Sequence, residues 1–107
     1  MLSPEHIAEA ARRLIARAAH PAKVILFGSY ARGEADEASD LDLMVVEQGL
    51  TDKAGEYLRL REAVGHAGVG IDLLLMSAQE FERRSQVPGT VAYWAKKEGT
   101  ILYDTAA

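Results

Sequence analysis

A glycine–serine bend and three spaced aspartates are the residues of this sequence that could do chemistry together. Gly28-Ser29 directly follows the β-branched and aromatic run Val24 to Phe27 and stands at the mouth of a short helix. Free backbone N–H groups and a hydroxyl gathered at one such point can hold a phosphate, and a glycine lets an anion approach the backbone closely. Ten residues separate Ser29 from Asp40-Leu41-Asp42. At the start of a strand, period-two alternation puts Asp40 and Asp42 on one face, their Cα atoms about 7 Å apart. Two carboxylates held that way resist burial unless something positive sits between them. Magnesium fits, because it takes oxygen ligands and bridges carboxylates to substrate phosphates. Asp72 interrupts Val69-Gly70-Ile71 and Leu73-Leu74-Leu75, an apolar strand where a lone carboxylate is costly unless it joins a polar site. Arg32, three residues beyond Ser29, could reach a phosphate oxygen with its fork. It could equally pair with Glu34 or Asp36 on the surface.

Several better-known phosphate and nucleophile patterns fail here. Gly28 and Gly33 have the outer spacing of the ATPase phosphate loop, but Glu34-Ala35 follows where lysine and a hydroxyl residue are required. No G-x-G-x-x-G follows a strand, and Phe27 stands where a nucleophile elbow needs glycine. Asp36, Asp40 and Asp42 have the wrong offsets for a calcium loop. The plainer readings are an N-cap for Ser29, strand-end surface acids for Asp40 and Asp42, and an edge-strand acid facing water for Asp72. Glu34, Asp36 and Glu37 read as a solvated loop face, and His6, His20 and His66 as scattered surface or cap residues. Two carboxylates on one strand, a third on a neighbour and a phosphate-binding bend together are the parts of two-metal phosphoryl transfer.

Gly28-Ser29, ten residues, Asp40-Leu41-Asp42 and a later strand aspartate at Asp72 resemble the signature of the DNA polymerase β-like nucleotidyltransferase superfamily. The short chain further resembles its minimal branch, the MNT proteins. The resemblance covers Val24 to about Met76 well and the C-terminal third loosely. It implies that Gly28 and Ser29 bind the triphosphate, beside which Arg32 is the further nucleotide-binding candidate from its spacing, and that Asp40, Asp42 and Asp72 are the catalytic and metal-binding residues, with Asp72 either completing the metal site or accepting the proton of the attacking hydroxyl. It implies two magnesium ions, ATP as substrate, and transfer of AMP to a hydroxyl. MNT proteins often act as antitoxins of helical HEPN toxins, so a toxin tyrosine is the implied acceptor. Two alternatives accompany that expectation. One is an antitoxin that masks its partner by binding alone. The other is a small-molecule adenylyltransferase resembling aminoglycoside-modifying enzymes, which would need a homodimer to build its acceptor pocket.

The elements that must position these residues follow from local patterns. Ser3-Pro4-Glu5 opens a helix with an N-cap, a first-turn proline and an acid at the positive end of the dipole. Ile7, Ala10, Ala11, Leu14, Ile15 and Ala18 recur at helical spacing, and His20-Pro21 ends the pattern. Strands are expected over Val24–Phe27, Leu41–Glu47, Val69–Met76 and Thr100–Tyr103. Helices are expected over Ser29–Ala35, Thr51–His66, from Ser77 in a capping box, and over Val91–Lys97. Asp36–Ser39 reads as a loop. Tyr57, Phe81, Tyr93 and Trp94 are expected in the core or at an interface. The order α-β-α-β-α-β-α-β predicts an α/β (α+β) fold, a single mixed β-sheet with packed helices, matching the fold that the resemblance implies.

Composition sets the frame. The chain has 107 residues, 49% hydrophobic and 26% charged, as expected for one globular domain spanning residues 1–107. It has no cysteine, which excludes disulfides, thiolate zinc sites and a cysteine nucleophile. Twelve basic against sixteen acidic residues give a net charge of -4, which argues against nucleic acid as a partner of the chain alone. No apolar run is long enough to span a bilayer, and the N-terminus lacks an export signal, so a cytoplasmic location is expected.

Overall fold

The structure is a computed structural model that describes residues 1–66 and 68–106. Helix α1 (Pro4–Arg17) is capped by Ser3, whose side chain accepts the His6 N–H, and it buries Ile7, Ala10, Ala11 and Leu14. Strand β1 (Pro21–Phe27) begins earlier than its apolar run suggests, because Pro21 and Ala22 join the ladder through an irregularity before Lys23. Helix α2 (Gly28–Ala31) is a single turn, shorter than expected. Strand β2 (Leu41–Glu47) and helix α3 (Lys53–Val64) follow, the latter capped by Asp52 on the Gly55 N–H. Strand β3 (Ile71–Ser77) leads into α4 (Ala78–Arg84), capped by Ser77 on the Glu80 N–H. Pro88-Gly89 separates α4 from α5 (Val91–Glu98), and β4 (Thr100–Asp104) closes the chain.

The strands form one mixed four-stranded sheet in the order β3-β2-β1-β4. β1 runs antiparallel to both β2 and β4, while β2 and β3 are parallel, with α3 as their crossover. Period-two alternation divides the apolar residues between two layers. Val24, Leu26, Leu41, Leu43, Val45, Leu73 and Leu75 pack against α1 and α3. Ile25, Met44, Val46 and Met76 pack against Phe81 of α4 and Ala92 and Ala95 of α5. Phe81 is therefore core, as expected, and Tyr57 is half-buried. Trp94 is not in the core: it is 44% exposed and stands edge-on to Tyr93, with the Lys97 ammonium over both rings. Small Ala92 and Ala95 supply the buried stripe of α5, so the large aromatic falls on the outer face. Among the described residues, no helix is long and apolar enough to cross a membrane.

Candidate active site

The antiparallel turn-back of β1 onto β2 and the parallel pairing of β2 with β3 bring three strand ends side by side. The end of β1 at Phe27 pairs with Asp42, and Asp42 in turn pairs with Asp72. Neighbouring strands lie about 4.8 Å apart, so the Gly28 bend, Asp42 and Asp72 stand in a row across the sheet. Gly28 has a φ of +73°, a left-handed conformation that glycine adopts at no steric cost. A Cβ there would also collide with Oδ2 and Cγ of Asp42. The bend thus needs glycine twice, once for its backbone and once because the Asp42 carboxylate lies against it. Ser29 sits half-buried in the first turn of α2, and its carbonyl accepts the Glu34 N–H at 2.9 Å. Tyr30 fastens that turn to the segment before α1, its hydroxyl accepting the Leu2 N–H at 3.0 Å.

The segment between α2 and β2 is a self-bonded turn. Asp36 Oδ1 accepts the Ala38 N–H at 2.9 Å, and the Asp36 N–H donates to Ser39 Oγ at 2.9 Å. It delivers Asp40 immediately before the strand rather than within it. Leu41 N–H donates to Gly70 O at 2.8 Å, tying the entry of β2 to the entry of β3. The Asp40 carboxylate lies where a side chain at Gly70 would be. Asp42 lies against Gly28 and beside Asp72, and Asp40 lies against Gly70, two residues before Asp72 at the entry of β3.

Asp42 is the electrostatic centre of the group. Partial burial, a hydrogen bond and like charge from Asp72, and the charge of Asp40 push its carboxyl up to about 6, with Arg32 acting weakly the other way. Arg32 is thus close enough to interact with Asp42, but its Nε donates to Glu34 Oε1 at 2.6 Å on the surface. An exposed pair of this kind is worth little and is readily exchanged for another anion. Among the described residues, no set of three His, Asp or Glu side chains is gathered as a ready metal cage. Asp42 and Asp72 form the close carboxylate pair, and Asp40 stands beside it. An all-oxygen pair whose mutual repulsion raises a carboxyl pKa fits a hard divalent cation, which would relieve that repulsion.

A cavity of about 420 Å³ opens beside this pair, lined by Asp42, Asp72, Phe27, Tyr57 and Arg61 among others. Arg61 donates to Ile71 O at 2.8 Å, just before Asp72. Sequence patterns overlooked Tyr57 and Arg61 as site residues. The available signal was their i,i+4 spacing on the crossover helix that must return the chain to the start of β3.

A nucleotidyltransferase domain family matches residues 6–97. A search of curated protein sequences returns no match. Among solved structures, a candidate nucleotidyltransferase from Sulfolobus solfataricus is similar with a TM-score of 0.66 at 17% identity, over 95% of this chain and 80% of its own. A toxin–antitoxin structure with AMP-PNP is similar with a TM-score of 0.57 at 21% identity, over 97% of this chain and 75% of its own. A candidate minimal nucleotidyltransferase is 31% identical with a TM-score of 0.51, over 89% of this chain and 93% of its own.

Proposed function

The chain belongs to the nucleotidyltransferase domain family, in its minimal branch, and on that premise we propose that it transfers AMP from ATP to a tyrosine hydroxyl of a HEPN-type toxin partner in the cytoplasm, as the antitoxin of the pair. The observation that carries the reading is the register of Asp42 with Asp72 on adjacent parallel strands, with the Gly28 bend against Asp42. The AMP-PNP bound by the toxin–antitoxin relative supports the choice of adenine nucleotide and of partner.

In this mechanism Asp42, Asp72 and Asp40 would hold two magnesium ions, which when bound would supply neutralisation of phosphate charge and acidification of the acceptor hydroxyl. The N–H groups of the Gly28 bend and the Ser29 hydroxyl hold the triphosphate on the β1 side of Asp42. Arg32 leaves Glu34 to take a phosphate oxygen. The acceptor enters on the β3 side, through the cavity lined by Tyr57 and Arg61. Its hydroxyl oxygen attacks the α-phosphorus in line, the bond to pyrophosphate breaks, and Asp72 takes the hydroxyl proton. The strand order β3-β2-β1 supports this reading, because the Gly28 bend and the cavity beside Asp72 flank Asp42 from opposite sides.

The test is to incubate the protein with each nucleoside triphosphate, magnesium and the protein encoded beside it, then measure the intact mass of both. Addition of one AMP to the partner, lost in the Asp42→Asn variant, is the expected result. A partner neutralised without any added mass would replace transfer by masking.

A further inference from the structure

The end of β2 remote from Asp42 carries a second acid pair that the proposed transfer does not use. Glu47, the last residue of the strand, is 1% exposed and stands roughly 17 Å along the strand from Asp42. Its Oε1 accepts the His20 N–H at 3.1 Å. Glu56, buried on α3, accepts the adjacent Ala19 N–H through Oε2 at 3.0 Å, and its Oε1 takes the Arg59 guanidinium. Carboxylates from two separate elements thus hold consecutive N–H groups of the turn between α1 and β1. The remaining oxygen, Glu47 Oε2, is shut from solvent and has no hydrogen-bond partner among the described residues. The Glu47 carboxyl lies in contact with the Glu56 carboxylate.

A cavity of about 440 Å³ borders the pair, and the charged or titratable groups facing it are His20 from the turn, Asp52 from the cap of α3, and Arg59 from α3. One half-exposed guanidinium cannot balance two buried carboxylates in contact. A proton on Glu47 Oε2 removes the excess charge and turns an unsatisfied acceptor into a donor aimed at Glu56.

We infer that Glu47 and Glu56 share one proton, with Glu47 Oε2–H donating to Glu56, and that this pair is a pH-sensitive latch fastening α3 to the α1–β1 turn. Burial, then the contact with Glu56, pushes Glu47 from the ordinary 4.5 up to about 7, and the His20 N–H offsets only part of this. Burial acts on Glu56 in the same direction, but bonds from Glu47, Ala19 and Arg59 outweigh it and hold Glu56 below its usual range. Because the folded value of Glu47 is raised, its contribution to stability is full below about 4.5 and is lost as pH climbs through about 7. The lowered value of Glu56 acts in the opposite sense and below that window.

Thermal unfolding of the full chain between pH 5 and 8.5, for wild type and Glu47→Gln, tests the latch. The carboxamide can donate where the acid donated, and it does not titrate. The wild-type Tm is expected to fall by about 5 °C more than that of the variant across this range, with the variant at least as stable at the alkaline end. Asp42 titrates equally in both proteins and cancels. Parallel curves would overturn the proposal. A carbon-13 titration of the Glu47 carboxyl in the wild type decides the matter independently of the variant: a midpoint near 7 supports the latch, and one near 4.5 overturns it.

Discussion

At the scale of single residues, Asp42 is held in tension. Its carboxylate touches the Gly28 bend on one side and its register partner Asp72 on the other, and it is the group whose pKa is raised in the site. Removing its charge should therefore separate activity from stability. Asp42→Asn is expected to lower AMP transfer by at least about a hundredfold, some 3 kcal/mol of barrier lowering. The same variant should unfold at the same temperature as wild type or higher, in buffer with a chelator. Its advantage should grow as pH rises through about 6, since a raised folded value means that wild type loses stability over that range. Gly28→Ala should lower stability and activity together. It meets both a positive φ and the Asp42 carboxylate, so urea unfolding should register a loss of about 1–3 kcal/mol, together with reduced transfer. The glycine–serine bend and the aspartates were legible as a candidate site because their chemistry is carried by residue type, and the structure sets Gly28, Asp42 and Asp72 side by side. Which carboxylate would turn toward which neighbour was not legible, since Gly70 and Gly28 shape those directions only once the strands have paired.

At the scale of elements, side-chain caps mark the starts of the four longer helices. Ser3, Asp52, Ser77 and Thr90 each accept an N–H in the first turn of the helix that follows. Of these, Thr90 has the largest task, because its hydroxyl also donates to carbonyls at Arg84 and Val87 and so turns the chain from α4 into α5. Thr90→Ala is expected to cost about 1 kcal/mol in urea unfolding, without altering transfer. The core span of β2 was readable in full, its run of apolar residues being bounded by acids. β1 was readable only from Val24 onward. Pro21 argues locally against a strand, and the pairing of Pro21 with Glu47 and the Thr105 N–H donated to Ala22 O extend the ladder over it. The single-turn length of α2 has a similar origin: Arg32 and Gly33 donate back to Gly28 and Tyr30, and Glu34 to Ser29, closing the helix in one turn.

At the scale of the whole molecule, a central sheet covered on both faces leaves the chemistry at its rim. Apolar residues of β1, β2 and β3 alternate between the α1/α3 layer and the α4/α5 layer, so both faces are filled and only the strand ends are available to polar groups. Leu60, fully buried under the first layer, should test this division. Leu60→Ala is expected to lose about 2–5 kcal/mol of stability through the cavity it leaves. Transfer per folded molecule should stay close to wild type, because Leu60 touches the core rather than the rim. The two acid pairs occupy opposite ends of β2, Asp42 with Asp72 at one and Glu47 with Glu56 at the other.

Local patterns alone determined the kinds of element, the two apolar periods, and the glycine–serine and aspartate spacing that marks the family. Each of these is written within a few residues of chain, because side-chain direction repeats every two residues in a strand and every 3.6 in a helix. The parallel register that sets Asp42 against Asp72, the turning of Asp40 to Gly70, the exposure of Trp94, and the meeting of Glu47 with Glu56 were decided by tertiary structure. They depend on which strands pair and on where α3 docks, contacts between residues distant in sequence that no local period encodes.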